Sequence, residues 1–212
     1  MAKPLVLTKV NVLATMRGDK TMTRRIIKPQ PPEEWNEVKP IYNENGDIIT
    51  FCFCDSNNVN DYGYKESKYQ VGDEVYVAEG YQITGRVSKP FLVNGIYLAD
   101  GAKFDVELTL REWHLWLNRK FPYRPTSGRF MYKSLARTFM RITEVKVELL
   151  HAITLADIRA EGISWVVKKG EPLDMVGAFE RLWNSIHGDR AWDLNPWVFG
   201  YRWELIRSTR NV

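Results

Sequence analysis

The sequence predicts an α+β fold, a mixed β-barrel with short flanking helices and one inserted segment. Apolar residues recur at helical spacing in residues 8–17 and 174–187, whereas they alternate in 139–150 and 197–205. Residues 29–68, by contrast, are rich in turn-forming residues. Single short helices between strands favour a mixed barrel over a doubly wound parallel sheet.

The N-terminal region predicts a helix, a turn and a strand. Thr8 is suited to cap a helix whose apolar stripe continues to Met16, and Gly18 is placed to end it. From Thr21 to Ile27, β-branched and alternating residues predict extended structure. Residues 18–20 lie between the predicted helix and the predicted strand.

We interpret residues 29–68 as an insertion into a single domain that spans residues 1–212. Within it, Asn45-Gly46 predicts a hairpin turn followed by a strand from Ile48 to Phe53. The other expected elements are a strand after Gly72-Asp73, short strands within 80–106, a helix over 108–117, a helix capped at Thr154 and ended by Gly162, and a last strand from Trp197.

Composition excludes several classes of protein. Hydrophobic residues make up 44% of the chain, enough to bury a core, and no apolar run is long enough to span a membrane. Cys52 and Cys54 are too close in sequence to form a disulfide easily. We expect no signal peptide at the N-terminus and a cytoplasmic location.

Charge is distributed unevenly along the chain. Residues 1–30 hold seven lysines and arginines against Asp19, whereas residues 31–75 hold ten acidic residues against three lysines. A basic patch beside an acidic insertion is typical of a site that binds phosphate or nucleic acid, although ordinary surface charge gives the same pattern.

The basic turn at residues 18–25 concentrates the groups best suited to chemistry. Arg24 and Arg25 offer planar donors for phosphate, and Lys20 is a cation whose pKa can shift on burial. Thr21 and Thr23 can hydrogen-bond phosphate or act as nucleophiles beside a base. A solvated strand with basic side chains is the alternative.

Five motifs in a fixed order resemble the ASCH family. They are Gly-x-Lys-Thr-x-Thr-Arg-Arg at 18–25, Tyr-x-x-Gly-Asp-x-x-x-Val-x-Glu at 69–79, Leu-x-x-Ile-Thr-x-x-Asp-x-x-x-Glu-Gly at 150–162, Leu-Trp-x-x-Ile at 182–186 and Asn-Pro-Trp-Val at 195–198. The chain is most similar to the larger form common in bacteriophages and prophages. The resemblance implies a PUA-like fold, and PUA domains bind RNA.

The resemblance also implies a possible catalytic set. Some small ASCH proteins are amidohydrolases that deacetylate N4-acetylcytidine with a Lys, a Thr and a Glu, which match Lys20, Thr23 and Glu161. Lys20 can act as a base only when neutral, and a carboxylate at Glu161 opposes that. On a regular strand Lys20 and Thr23 face opposite ways, so they meet only if Lys20 lies on the preceding turn.

The chain departs from the family pattern at two places. Val77-Ala78-Glu79 lacks the arginine usual before this glutamate, so an ion pair is expected to be missing. Residues 127–137 keep a methionine, a basic residue and Arg137 of a longer family motif. We expect Glu79 and Arg137 to contact substrate.

Tryptophan and histidine add less. Trp183 and Trp203 lie on apolar faces and are expected in the core, while Trp197 is a candidate for stacking on a base. The three histidines lack metal-ligand spacing, and no cofactor-binding motif is present, so neither a metal nor a cofactor is expected.

The preferred function is binding of RNA, a nucleotide or a modified nucleoside by Lys20, Thr21, Thr23, Arg24, Arg25, Glu79, Arg137, Glu161 and Trp197. Three alternatives stay open: an amidohydrolase acting on an acylated base, a ribonuclease, and a phage interaction module without catalysis. No membrane partner is expected, and the sequence does not define the oligomeric state.

Overall fold

A computed structural model describes residues 2–86, 91–120, 122–163 and 174–208, and in these ranges the fold is α+β. Strands predominate and helices are short. The elements in chain order are β1 Lys3–Val6, α1 Lys9–Arg17, β2 Met22–Ile26, β3 Glu37–Tyr42, β4 Ile48–Asp55, β5 Asn58–Lys65, β6 Glu74–Ala78, β7 Tyr81–Arg86, β8 Leu92–Tyr97, β9 Lys103–Glu107, α2 Leu110–Leu117, β10 Thr138–Leu149, α3 Leu155–Ala160, α4 Met175–His187 and β11 Trp197–Ser208.

The strands form three sheets, and the described residues contain no closed barrel. The largest sheet has the order β1-β6-β10-β11-β2, in which β1 is parallel to β6 and β11 is antiparallel to β2. The other two are antiparallel meanders, β3-β4-β5 and β7-β8-β9. The predicted α+β class is therefore confirmed, whereas the predicted barrel is not.

The chain divides into two compact units. Unit 1 comprises residues 1–18, 74–140 and 205–212, and unit 2 comprises residues 19–73 and 141–204. In unit 1, aromatic side chains from β7, β8 and β9 pack with the buried Trp116 of α2. In unit 2, Leu150 and Ile158 pack with Phe179 and Trp183 of α4.

Helix ends follow the predicted capping residues. Gly18 adopts a left-handed conformation with φ 85° after α1, which a residue without Cβ adopts at little cost. Thr8 occupies the N-cap of α1 but makes no side-chain capping bond, whereas Thr154 forms a complete capping box with Asp157 at the start of α3. The basic residues 18–25 therefore begin at the end of α1 and continue into β2.

The predicted hairpin within residues 29–68 is confirmed. Its turn contains Gly46 at φ 81°, and it joins β3 to β4, to which β5 adds a third strand. Phe51 and Phe53 are buried and contact the aromatic rings of Phe199 and Trp197. Residues 29–68 therefore contribute an apolar face to the core of unit 2.

No helix in the described ranges is long and apolar enough to cross a membrane. The helix expected over residues 108–117 is present as α2, which runs from Leu110 to Leu117.

Candidate functional site

Lys20 lies in the short segment between Gly18, which ends α1, and the start of β2. Both backbone polar groups of the neighbouring Thr21 are hydrogen-bonded. Its N–H donates to the carbonyl of Ala160 at 2.8 Å, and its carbonyl accepts from the N–H of Trp203 at 2.9 Å. The strand begins only at Met22. Lys20 therefore precedes the strand, as a meeting with Thr23 requires. The alternation of side chains along β2 does not fix the direction of Lys20.

Lys20 and Glu161 form a buried ion pair in unit 2. The Lys20 ammonium donates to the Glu161 carboxylate at 2.6 Å and to the Glu161 backbone carbonyl at 2.8 Å. Their side chains are only 1% and 6% exposed. Burial lowers the pKa of Lys20, and Arg24 and Arg25 act in the same direction, although the charge of Glu161 raises it. The balance favours a more readily deprotonated lysine.

Helix α3 positions Glu161. The residue is the C-cap of α3, its N–H donates to the carbonyl of Asp157 at 2.8 Å, and Gly162 follows with φ 87°. A carboxylate at a helix C-terminus meets the negative end of the helix dipole. The two cations Lys20 and Arg24 offset that unfavourable position, so the pair and the helix end depend on each other.

Arg24 is buried on β2, and its guanidinium is already occupied. Its Nε and Nη2 donate to Glu148 at 2.9 and 2.6 Å, Nη2 also donates to Asp157 at 2.8 Å, and Nη1 reaches Glu161 at 3.4 Å. The Arg24 side chain has no exposed surface. It therefore organises three carboxylates, and the phosphate-binding role expected from the sequence would require these ion pairs to open.

Asp157 joins the network, although it was not among the predicted site residues. The Asp157 carboxylate accepts from the backbone N–H of Thr154 in the capping box. It also accepts from Arg24, Lys146 and Arg202 at 2.8 to 2.9 Å. Burial opposes its ionisation, but the Lys146 hydrogen bond and the charges of Arg24 and Lys146 lower the pKa of Asp157 to about 2. It is thus an ionised anchor for three cations.

Lys146, Glu148 and Arg202 were also missed. A signal was present, because polar residues at 144, 146 and 148 alternate with Val145 and Val147 along β10 and so share one face. Their partners could not be inferred, since those partners lie on other elements. Gly200 on β11 lets the Met22 and Lys146 side chains approach its backbone closely. A Cβ at this position would lie only 2.9 Å from Met22 Cε and 3.0 Å from Lys146 Cγ.

Strand register separates Thr23 from Arg24. Thr23 pairs with Tyr201, and Arg24 pairs with Gly200 on β11. Since alternate residues point to opposite faces, the buried Thr23 side chain shares a face with Tyr201 and lies opposite Arg24. Among the described residues, both hydrogen bonds of the Lys20 ammonium go to Glu161, so Lys20 and Thr23 form no hydrogen bond with each other.

Arg25 and Thr21 are the more accessible members of the basic segment. Arg25 is exposed on β2 opposite Phe199, and Thr21 is half-buried. Burial lowers the pKa of His187, and the nearby charges of Arg25 and Lys28 lower it further. Arg25 therefore places a positive charge near the end of α4.

Glu79 and Arg137 pair with each other in unit 1. Arg137 Nε and Nη2 donate to the two Glu79 oxygens at 2.8 and 2.9 Å, while Nη1 donates to Asp100 at 2.8 Å. The Arg137 guanidinium also lies 4.0 Å from the Tyr97 ring centroid. The expected absence of an ion pair at Glu79 is therefore wrong, because Arg137 supplies the partner that Ala78 does not.

The tryptophans behave mainly as core residues. Trp183 and Trp203 are buried, as predicted. Trp197 is half-buried, and Phe53 contacts its ring edge-on with a centroid distance of 5.2 Å. Its backbone is tied to Gln30 by two hydrogen bonds of 2.8 and 3.0 Å. Within the described ranges, no group of three or more His, Cys, Asp or Glu residues is placed to hold a metal ion.

No family model, no curated protein and no solved structure matches this chain. The resemblance to the ASCH family therefore rests on the five sequence motifs and on their order.

Proposed function

We propose that this chain is an ASCH-type, PUA-like protein that binds a nucleotide or a modified nucleoside at Lys20 and Glu161. The observation that carries the proposal is the buried Lys20–Glu161 pair at the start of β2. A pyrimidine base of the cytosine type offers an exocyclic amine that donates to a carboxylate and a ring carbonyl that accepts from an ammonium. Glu161 and Lys20 supply these two complementary groups side by side, and a ligand reaches them by opening the buried ion pair between them.

The cost of burying the pair supports a functional role. Removing an ammonium and a carboxylate from water costs several kcal/mol per ion, and replacing such pairs with apolar side chains is often neutral or stabilising. Glu161 also lies at the unfavourable end of a helix dipole. The Lys20–Glu161 pair therefore adds little to stability compared with apolar side chains. A polar ligand, in contrast, would find two oriented hydrogen-bonding groups at this position.

The occupied guanidinium of Arg24 favours a small ligand over an RNA chain. RNA binding relies on many cationic contacts to phosphate, and Arg24 already contacts Glu148, Asp157 and Glu161. Arg25 is the exposed arginine of the segment. We assign it to the phosphate of a nucleotide, in support of the Lys20–Glu161 contacts to the base.

Calorimetric titration with cytidine, N4-acetylcytidine and cytidine monophosphate tests the proposal. Lys20→Met and Glu161→Gln are expected to weaken binding of all three by about tenfold or more, because each leaves a buried polar group without its partner. Arg25→Gln should weaken the monophosphate alone. Arg141→Gln is the matched control, since Arg141 is an exposed arginine paired with Glu204.

Circular dichroism should first show that each variant is folded. Binding that survives unchanged in folded Lys20→Met and Glu161→Gln, or that is absent in the unaltered protein, would contradict the proposal.

An amidohydrolase is the second candidate, and the lowered pKa of Lys20 favours it. Neutral Lys20 would take the proton of Thr23 Oγ as that oxygen attacks the amide carbonyl. Lys20 would then return the proton to the departing amine as the C–N bond breaks, and water would release the acyl group from Thr23. This chemistry requires the backbone of β2 to change at Thr23, because rotation of the side chain alone leaves its hydroxyl on the face opposite Arg24.

Mass spectrometry of N4-acetylcytidine incubated with the protein distinguishes the two candidates. Amide hydrolysis predicts cytidine and acetate, abolished in Thr23→Ala and retained in part in Thr23→Ser. Binding without hydrolysis predicts unchanged N4-acetylcytidine with every variant.

A further inference from the structure

Unit 1 contains a pocket that the proposed function does not use. Its volume is about 560 Å³, within the range of about 300–1,000 Å³ typical of small-molecule sites. The start of α2, the short turn at Lys133–Leu135, the start of β10 and the end of β11 contribute its walls. The side chains that bear on its chemistry are Thr109, Glu112, Lys133, Ser134, Phe139 and Arg207.

The acidic side chain of this pocket is already satisfied. The Glu112 carboxylate accepts hydrogen bonds from the backbone and hydroxyl of Thr109, both at 2.9 Å, and from the backbone and hydroxyl of Ser134 at 3.2 and 2.6 Å. Burial opposes ionisation of Glu112, but these donors lower its pKa. Glu112 therefore stays ionised at neutral pH with neutral partners, and it links α2 to the turn that holds Lys133.

Two cations of the pocket lack a carboxylate partner among the described residues. Lys133 and Arg207 are exposed and form no ion pair there. Arg137, which also lines the pocket, is by contrast engaged by Glu79 and Asp100. Lys133 and Arg207 together carry two positive charges against the single negative charge of Glu112, so these three side chains leave the pocket with a net positive charge.

Phe139 orients one of these cations. The Arg207 guanidinium lies 3.9 Å from the Phe139 ring centroid, a close cation–π contact. Phe139 is itself buried, and Tyr76 packs against it with a centroid distance of 6.4 Å. The Arg207 guanidinium therefore lies against a buried ring, and its several N–H donors suit an anion with several oxygens.

We propose that this pocket binds a phosphate ester of nucleotide size, with its phosphate held by Lys133 and Arg207. A phosphate presents several acceptor oxygens to the guanidinium and the ammonium at once, and the remaining volume accommodates a sugar and base. The site is independent of Lys20 and Glu161, because all of its lining residues belong to unit 1.

Titration calorimetry at low ionic strength with adenosine monophosphate, adenosine and inorganic phosphate tests the site. We expect the monophosphate to bind, inorganic phosphate to bind more weakly and adenosine not to bind. Lys133→Gln and Arg207→Gln should each weaken the monophosphate by about tenfold, and added salt should weaken it in the unaltered protein.

The controls separate this site from the one in unit 2. Arg141→Gln, at an exposed position paired with Glu204, should leave monophosphate affinity unchanged. The proposal is overturned if the unaltered protein does not bind the monophosphate, or if binding persists undiminished in both Lys133→Gln and Arg207→Gln. It is also overturned if binding is lost in Lys20→Met, because the ligand would then occupy unit 2. Lys133 and Arg207 are surface residues, so unchanged melting temperatures should confirm that their variants are folded.

Discussion

The Lys20 ammonium contacts both the carboxylate and the backbone carbonyl of Glu161, at 2.6 and 2.8 Å, although 141 residues separate them in the chain. One contact fixes the side chain of the acid, and the other satisfies a carbonyl at the end of α3. The pair thus ties the turn before β2 to the C-terminus of a helix. A ligand that displaced either contact would act on both elements.

The coupling between Lys20 and Glu161 can be measured in a double-mutant cycle. Lys20→Met should lower the free energy of unfolding by about 3 kcal/mol, because it leaves a buried carboxylate with only the more distant Arg24 contact. The Lys20→Met/Glu161→Met protein should lose less than the sum of the single losses. Urea unfolding monitored by circular dichroism gives these values, and strictly additive losses would show that the pair is not coupled.

Asp157 predicts a defined dependence of stability on pH. Its pKa of about 2 lies below the value of about 3.9 for an unfolded aspartate, so the unfolded state binds the proton more readily. Its contribution, on the order of 2 kcal/mol, is therefore complete above about pH 4 and is lost as the pH falls towards 2. Asp157→Asn should lower stability at neutral pH, and the difference from the unaltered protein should shrink in acid. A difference that is constant from pH 7 to about pH 2.5 would contradict this assignment.

Arg24 and Arg25 are adjacent arginines with opposite environments, which makes them a matched pair. Arg24→Met should cost about 3–5 kcal/mol, since Glu148, Asp157 and Glu161 would lose a shared buried partner. Arg25→Met, at an exposed position on the same strand, should cost less than about 1 kcal/mol. Chemical unfolding of both variants tests this, and equal losses would mean that the buried network does not stabilise unit 2.

Local sequence signals predicted the elements well but not the partners within the site. Gly18, Gly46 and the capping box at Thr154 each act within a few residues of their own position, so the ends of α1, the hairpin turn and the start of α3 could be inferred. The sheet order β1-β6-β10-β11-β2 joins distant segments, which no local pattern specifies.

Local sequence patterns do not specify long-range contacts, and for this reason several site residues have other roles in the structure than the sequence predicted. Arg24 has the residue type of a phosphate ligand, but burial against three carboxylates gives it an internal role. Thr23 matched a family motif, and only the register with Tyr201 revealed which face it occupies. Glu79 accepts a hydrogen bond from Arg137, which lies 58 residues away in the sequence. Side-chain chemistry was readable from sequence, whereas the partners depended on tertiary structure.

Arg137→Lys tests whether planar donor geometry matters in unit 1. Arg137 donates through Nε, Nη1 and Nη2 to Glu79 and Asp100, and a lysine ammonium cannot reproduce that fork. The substitution should lower the free energy of unfolding by about 2–4 kcal/mol at neutral pH, because Glu79 stays buried with a poorer partner. Arg141→Lys, at an exposed pair with Glu204, is the control and should cost less than about 1 kcal/mol.

The loss in Arg137→Lys should also depend on pH. Burial raises the pKa of Glu79, and the hydrogen bonds and charge of Arg137 lower it again, so a weaker partner should raise that pKa further. A buried acid with a raised pKa binds its proton more readily in the folded state, which makes the folded state less favourable as the pH rises through that range. The deficit of Arg137→Lys relative to the unaltered protein should therefore grow from about pH 4.5 to pH 7. Thermal unfolding across this interval measures it, and a deficit that narrows with rising pH would show that Arg137 does not hold Glu79 in its ionised form.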